Sequence, residues 1–132
     1  MIVIVLSIKL GYKIWKFVYE LFFMKELDLN SRYGKDSWAV ITGASHGLGW
    51  GFAQGLASRG FNVLLIARNK DLLQERVQKL YEMQKNPNTK DKKYDFVVAD
   101  FEQHLTAESY HKLVQQFEDK DVSVLVNNVG AR

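Results

Sequence analysis

Apolar residues dominate the start of the chain, and the few charged residues there recur at a helical interval. Between residues 1 and 24 the charged side chains are Lys9, Lys13, Lys16 and Glu20. Their i, i+4, i+7, i+11 spacing places them on one narrow stripe of a helix whose remaining surface is apolar. Such a helix suits a bilayer interface, or a single span whose lysines snorkel. We therefore predict a membrane-associated helix over residues 1–27 that contacts lipid through residues 1–24. The alternative is an amphipathic helix packed on its own domain.

A regular alternation of strand and helix patterns follows this segment. Residues 28–36 are polar, contain turn-forming residues and are interpreted as a linker. The predicted strands, which are rich in β-branched residues, cover 38–41, 61–67, 96–99 and 122–126. They lack strict polar alternation, which predicts that both of their faces are covered. Asn69 and Thr106 are placed to cap two of the intervening helices. This order predicts a parallel sheet of about four strands joined by right-handed crossovers.

Three glycines stand where the first strand meets its helix, in the run Thr42-Gly43-Ala44-Ser45-His46-Gly47-Leu48-Gly49. Gly43 permits a sharp turn, Gly47 lets a pyrophosphate approach the backbone, and Gly49 lets the helix pack closely on the sheet. The helix would then begin at the phosphate, where its free N–H groups favour an anion. The alternative is a glycine-rich turn without a ligand. The predicted fold class is α/β, with an incomplete Rossmann-like doubly wound parallel sheet after the N-terminal apolar helix.

The end of the second predicted strand indicates which dinucleotide would bind. An acidic residue about 20 positions beyond the glycines would bind the ribose 2′-hydroxyl of NAD. Here that position carries Arg68, and no carboxylate stands at this strand end. A guanidinium can pair bidentately with a 2′-phosphate, so NADP(H) is the predicted cofactor. Ser45 and His46 could donate further hydrogen bonds to the same phosphate. The alternative is that Arg68 is simply a solvated residue.

Composition removes several other functions. The chain has no cysteine, which excludes disulfides and thiolate metal sites, and His46, His104 and His111 are too far apart to suggest a zinc site. The net charge of +3 reflects 18 basic residues nearly matched by 15 acidic ones. Residues 85–93 are rich in lysine but have no aromatic platform, so they are interpreted as a solvated loop. Neither a metal ion nor a nucleic acid is a predicted partner.

Together these motifs resemble the short-chain dehydrogenase/reductase family. The glycine signature is residues 42–49, the acidic residue after the third strand is Asp100, and the Asn-Asn-x-Gly signature is residues 127–130. The resemblance implies that Asp100 accepts a hydrogen bond from the adenine amino group and that the two asparagines brace the pocket. The alternative is that these residues form turns. The predicted cofactor-binding residues are Gly43, Ser45, His46, Gly47, Leu48, Gly49, Arg68, Asp100, Asn127 and Asn128.

Within the family, the chain is most similar to the membrane-bound very-long-chain 3-oxoacyl-CoA reductases and 17-beta-hydroxysteroid dehydrogenases. The resemblance rests on residues 32–34, residues 66–68 and Val129. It implies an NADP(H)-dependent oxidoreductase that reduces a ketone on a lipophilic substrate, a 3-oxoacyl-CoA or a steroid. It also implies an endoplasmic reticulum membrane location with the catalytic domain facing the cytosol.

The family's catalytic serine, tyrosine and lysine follow the Asn-Asn-x-Gly strand. Residues 37–132 are therefore predicted to be an NADP-binding portion that is truncated before the catalytic motif and inactive alone. Two Tyr-x-x-x-Lys matches, at Tyr12 and Tyr81, precede that strand, and we reject both as catalytic. The alternative function is a catalytically inactive nucleotide-binding or membrane-anchored interaction protein.

Overall fold

A computed structural model describes residues 2–23, 27–87, 89–103 and 106–130. His104, one of the three histidines judged too far apart in sequence for a zinc site, lies outside the described residues. The elements in chain order are α1 (Ile2–Phe23), α2 (Leu29–Tyr33), β1 (Trp38–Thr42), α3 (Gly47–Ser58), β2 (Asn62–Ala67), α4 (Lys70–Glu82), β3 (Tyr94–Val98), α5 (Ala107–Gln115) and β4 (Val122–Val126).

The four strands form one parallel sheet in the order β3-β2-β1-β4. The chain moves outward from β1 to β3 and then returns to place β4 on the other side of β1. This reversal creates a topological switch point between β1 and β4, where ligands bind in open α/β sheets. Because all strands are parallel, their carboxyl ends share one edge of the sheet. The predicted α/β fold is confirmed.

Two apolar clusters cover the opposite faces of the sheet, as expected for a doubly wound fold. Ala39 and Ile41 of β1 belong to a cluster that also contains residues of α3 and α4. Val40, between them in sequence, belongs to a second cluster with Leu113 of α5. Alternate residues of a strand point to opposite faces, so each helix layer packs on its own set of β1 side chains.

The mostly apolar strand patterns predicted two covered faces, and for the edge strands this prediction was wrong. All six residues of β2 are buried, whereas β3 and β4 expose part of their side chains. Leu125 of β4 is 60% exposed. The cause is position, because β4 pairs with β1 alone and has no second strand beside it among the described residues.

The predicted linker contains a short helix that docks on the domain. The Asp28 carboxylate accepts hydrogen bonds from the backbone N–H groups of Asn30 and Ser31, at 3.1 and 3.3 Å, and thereby caps α2. Leu29 packs against the apolar cluster that contains residues of α3 and α4, and the Asn30 side chain donates a hydrogen bond to the Arg59 carbonyl. The turn-forming residues recognised in this segment therefore start a helix.

The described side chains of α1, from Ile8 to Glu20, are all exposed. Lys16 and Glu20 of the polar stripe lie 3.8 Å apart, and the rings of Trp15 and Tyr19 stack at 5.6 Å. This exposure does not support the alternative in which these residues pack on the domain. Among the described residues, no helix combines the length and the sustained apolarity that crossing a bilayer requires.

Candidate functional site

A groove of about 620 Å³ opens at the carboxyl edge of the sheet, above the switch point. It receives residues from the loop after β1, from the ends of β2 and β3, and from the segment after β4. Its lining residues are Gly43, Ser45, His46, Gly47, Ala67, Arg68, Asn69, Ala99, Asp100, Phe101, Glu102, Asn128, Val129 and Gly130. Seven of the ten predicted cofactor-binding residues are in this set.

The three glycines of the β1–α3 loop serve different steric purposes. Gly43 and Gly47 have φ angles of 63° and 55°, in the left-handed region that favours glycine. A Cβ on Gly49 would lie 2.3 Å from the Gly43 carbonyl oxygen and 2.6 Å from Asn128 Nδ2. A Cβ on Gly47 would meet nothing within 4 Å. Gly49 is therefore required for internal packing, whereas Gly47 leaves open space where a ligand can approach the backbone.

The first turn of α3 meets the groove without a side-chain cap. His46 occupies the N-cap position, and its side chain makes no capping hydrogen bond. Its Nδ1 atom lies 3.1 Å from Ser45 Oγ. The first N–H groups of a helix have no acceptor within the helix and carry partial positive charge. This end of α3 is consequently available to an anion.

Asn128 holds the glycine loop against the switch point. Its backbone N–H donates to Thr42 Oγ1 at 3.0 Å, and its Nδ2 donates to the Gly43 carbonyl at 3.4 Å. Thr42 Oγ1 in turn donates to the Val126 carbonyl at 3.3 Å. These bonds tie the ends of β1 and β4 together beneath the groove.

Three predicted residues do not line the groove, and they are Asn127, Leu48 and Gly49, whose packing against Gly43 and Asn128 is described above. Asn127 lines a neighbouring cavity of about 700 Å³, together with Thr42 and Tyr110. The Leu48 side chain is 75% exposed and is not part of either lining. Only the backbone of Leu48, in the first turn of α3, is therefore close to the site.

A carboxylate accompanies Arg68, contrary to the sequence expectation. Arg68 Nη1 lies 2.8 Å from Glu102 Oε2, and the two side chains are 62% and 54% exposed. Asp100 stabilises the same turn, because its Oδ1 accepts a hydrogen bond from the Glu102 N–H at 3.0 Å. The expectation failed because β2 and β3 are neighbours, so the residues after β3 meet the end of β2.

Arg76 of α4 is a second residue that sequence reasoning missed. Its Nε donates to the Ser45 carbonyl at 3.0 Å, and its guanidinium lies 4.9 Å from the centre of the Trp50 ring. The Arg76 side chain is 17% exposed. It therefore links α4 to the glycine loop and to the first turns of α3. Helical periodicity alone identified no such contact, because it does not specify the loop that a helix meets.

The Tyr81 match to the family's catalytic spacing has a structural role in this protein. The Tyr81 hydroxyl donates to the Tyr94 carbonyl at 3.1 Å and accepts from the Tyr94 N–H at 3.0 Å. These two bonds fix the first residue of β3, at the edge of the sheet opposite to the groove. Burial raises the pKa of the Tyr94 phenol beside it. Tyr12, the other match, lies in α1 and is exposed.

The residues of the groove fit a dinucleotide. Open space above Gly47, an uncapped helix N-terminus and a guanidinium at the end of β2 are arranged along one groove. Within the described part of the chain, no group of three histidine or acidic side chains is placed to hold a metal ion. A doubly wound parallel sheet with a glycine turn after its first strand defines the class of dinucleotide-binding α/β proteins.

Comparison with known proteins identifies the family within this class. The model of the short chain dehydrogenases matches residues 37–132, and the chain belongs to that family. It is 45% identical to a very-long-chain 3-oxoacyl-CoA reductase of Pyricularia oryzae over 76% of this chain and 29% of that protein. It is 41% identical to the human inactive hydroxysteroid dehydrogenase-like protein 1 over 78% of this chain and 28% of that protein. The chain thus spans less than a third of the length of these relatives.

Solved structures agree with the fold. The chain matches L-sorbose reductase from Gluconobacter frateurii, crystallised with NADPH and L-sorbose, with a TM-score of 0.60 and 30% identity. The match covers 74% of this chain and 34% of the reductase. The resemblance inferred from the glycine, Asp100 and Asn-Asn-x-Gly motifs is confirmed at the level of the family.

Proposed function

We propose that this chain is the NADP(H)-binding part of an oxidoreductase that reduces a ketone on a lipophilic substrate. The observation that carries the proposal is the glycine turn, where the open backbone at Gly47 meets the uncapped first turn of α3. An anionic pyrophosphate would replace the missing cap and accept hydrogen bonds from the free N–H groups of the first turn of α3. Ser45 and His46, which line the same groove, would add hydrogen bonds to a phosphate.

Other groups along the groove would orient the rest of the dinucleotide. Arg68 would pair with the 2′-phosphate, and Asp100 would accept a hydrogen bond from the adenine amino group. Asn128 would keep the turn in its binding conformation through its bonds to Thr42 and Gly43. When bound, NADPH supplies the hydride that reduces a carbonyl carbon. The residues of this chain bind and orient the cofactor, and we assign none of them to proton transfer.

The relatives and α1 support a lipophilic substrate. One relative is named for a very-long-chain 3-oxoacyl-CoA, and another for hydroxysteroids. The exposed apolar side chains of α1, among them Trp15 and Phe17, would enter a bilayer interface while Lys9 and Lys13 remain with the headgroups. We propose an endoplasmic reticulum membrane location, with the domain that binds the cofactor facing the cytosol.

A second function from a different class also has support. The human relative is named as inactive, and Tyr81, one of the two tyrosines with the family's spacing, closes β3. A catalytically inactive nucleotide-binding or membrane-anchored interaction protein would bind the cofactor without turnover. Incubating a form of the protein that also carries the family's serine, tyrosine and lysine with NADPH and a long-chain 3-oxoacyl-CoA separates the two functions. Loss of NADPH absorbance supports the reductase, whereas binding without oxidation supports the inactive alternative.

The cofactor proposal is tested by titrating the chain with NADPH and NADH, followed by NADPH fluorescence or calorimetry. Arg68→Asp is expected to abolish a preference for NADPH, because it places a carboxylate where the 2′-phosphate would lie. Arg59→Asp is the matched control, since Arg59 is exposed and its Nη1 atom donates to the Gly55 carbonyl, away from the groove. A folded chain that binds neither nucleotide refutes the proposed function. A preference for NADPH that survives Arg68→Asp refutes the role of Arg68.

Membrane association is tested by sedimenting the chain with vesicles of phosphatidylcholine, with and without phosphatidylserine. Binding is expected to require apolar residues of α1, so Phe17→Glu should release the chain because it adds a charge to the apolar surface. Glu82→Gln, an exposed change at the end of α4, is the control. Equal sedimentation of the Phe17→Glu variant and the unchanged chain would contradict a role for α1.

A further inference from the structure

The Arg68–Glu102 ion pair connects the end of β2 to the turn after β3. It joins the guanidinium expected to recognise a 2′-phosphate to a carboxylate at 2.8 Å. Both residues line the groove. The arginine therefore has an anionic partner within the chain.

We propose that Glu102 is a specificity-determining residue that weakens the binding of NADP(H) relative to NAD(H). This inference rests on the proposed function and deepens it. The carboxylate of Glu102 holds the guanidinium of Arg68, and a 2′-phosphate must displace it before the phosphate can pair with the arginine. A dinucleotide with a free 2′-hydroxyl needs no such exchange.

The turn after β3 keeps the Glu102 carboxylate close to Arg68. Asp100 Oδ1 accepts the Glu102 backbone N–H at 3.0 Å, and Asp100 Oδ2 accepts from Gln103 Nε2 at 3.5 Å. The main chain of Glu102 is thus fixed by the residue that follows β3. Ordering the backbone in this way lowers the entropy cost of the ion pair with Arg68, because fewer bonds remain free to rotate.

Charge in the groove supports the same role. Among the described residues that line it, Arg68 carries the one permanent positive charge, whereas Asp100 and Glu102 carry two negative charges. A 2′-phosphate arriving at Arg68 would therefore also meet the repulsion of Glu102. Because Arg68 and Glu102 are more than half exposed, solvent and salt screen their attraction. Glu102 would consequently reduce the affinity for the phosphate without preventing its binding.

The test compares Glu102→Gln with the unchanged chain in titrations with NADPH, NADH, adenosine 2′,5′-bisphosphate and AMP. The variant should bind NADPH and the bisphosphate about twofold to fivefold more tightly, which lies within the range expected for exposed charge pairs. Its affinity for NADH and AMP should change less than twofold. The gain should shrink as salt concentration rises. NADPH binding that is unchanged or weaker in the variant overturns the inference.

Two further variants make the result specific. Glu108→Gln removes a more exposed carboxylate that pairs with Lys112 at 2.9 Å outside the groove, and it should leave all four affinities unchanged. In an Arg68→Gln background the gain from Glu102→Gln should shrink to the part that direct repulsion by Glu102 causes, because no guanidinium remains to be released. A gain of undiminished size there would overturn the exchange with Arg68. If the unchanged chain binds no nucleotide, the proposed function fails first, and that outcome is distinct from binding that Glu102 does not influence.

Discussion

Two neighbouring strand-to-helix junctions of the sheet start their helices in different ways. Both β1 and β2 end at the same edge, and each is followed by a helix on the same face. At the β2–α4 junction, Asn69 Oδ1 accepts the Leu72 N–H at 3.0 Å, so the chain caps its own helix. At the β1–α3 junction, His46 provides no side-chain cap, and glycines occupy the turn.

The difference indicates which junction is complete without a ligand. The first turn of α4 satisfies one of its free N–H groups with a side chain, which is the usual solution in proteins. The first turn of α3 has no such bond and lies on the groove, which fits recognition of an anion. The turn before α3 depends on glycine, because Gly43 and Gly47 have positive φ angles and Gly49 has no room for a Cβ. Stability and binding are therefore expected to respond differently to changes at the two junctions.

The largest effect is expected from Gly49→Ala. Its Cβ would come within 2.3 Å of the Gly43 carbonyl oxygen, and this backbone cannot move without disturbing the turn. We expect the free energy of unfolding to fall by about 3 kcal/mol or more, together with loss of nucleotide binding. Urea denaturation followed by circular dichroism measures the first effect. Gly51→Ala, with nothing within 4 Å of its new Cβ, should instead raise the stability by up to about 1 kcal/mol. Equal effects of the two substitutions would contradict this account of the turn.

A smaller effect is expected from Arg76→Met, which keeps most of the aliphatic stem and removes the guanidinium. The lost hydrogen bond to the Ser45 carbonyl and the lost contact with Trp50 should cost about 2 kcal/mol of unfolding free energy. Since Arg76 holds the loop rather than the 2′-phosphate, the affinities for NADPH and NADH should fall by the same factor. Nucleotide titration at a temperature where the variant is folded tests this. A selective loss of NADPH binding would instead place Arg76 at the phosphate.

Removing the cap of α4 should have a moderate effect. Asn69→Ala deletes the acceptor for the Leu72 N–H and should lower the free energy of unfolding by about 1 kcal/mol. Asn69→Asp keeps an acceptor oxygen and serves as the matched variant, with stability expected close to that of the unchanged chain. Denaturation in urea compares all three proteins. If Asn69→Ala is as stable as Asn69→Asp, the cap does not contribute.

The smallest effect is expected when a cap is added to α3. His46→Ser supplies a hydroxyl at the N-cap position and should raise the free energy of unfolding by about 0.5 kcal/mol. The gain should be smaller when NADPH is present, because the cofactor and the new hydroxyl would compete for the same N–H groups. Thermal unfolding with and without saturating NADPH measures both values. An equal gain in the two conditions would show that the ligand does not use this turn.

Local sequence signals predicted most helices and strands, but they did not predict contacts between residues that are distant in sequence. The glycine loop, the caps at Asn69 and Thr106 and the four parallel strands depend on neighbouring residues, and the structure contains them. Glu102 lies 34 positions from Arg68 in sequence, and Ser45 lies 31 positions from Arg76. Such pairs depend on which strands become neighbours, and no local pattern specifies them.

The exposure of β4 shows that local sequence also does not determine how a strand is covered. The apolar composition of residues 122–126 predicted a covered strand, but the sheet order places it at the edge. Composition records the tendency of side chains to avoid water. Whether another element provides that cover depends on the assembled sheet.

Because α2 docks on the domain, the domain must stay close to any surface that binds α1. Five residues, 24–28, connect Phe23 to Leu29, so the ends of the two helices are at most about 20 Å apart. The packing of Leu29 and the hydrogen bond from Asn30 to the Arg59 carbonyl fix the second end of this connecting segment, the tether, on the domain. If α1 binds a bilayer, as we propose, the tether would confine the groove to a thin layer above the headgroups. A water-insoluble ketone could then reach the domain by lateral diffusion in the membrane.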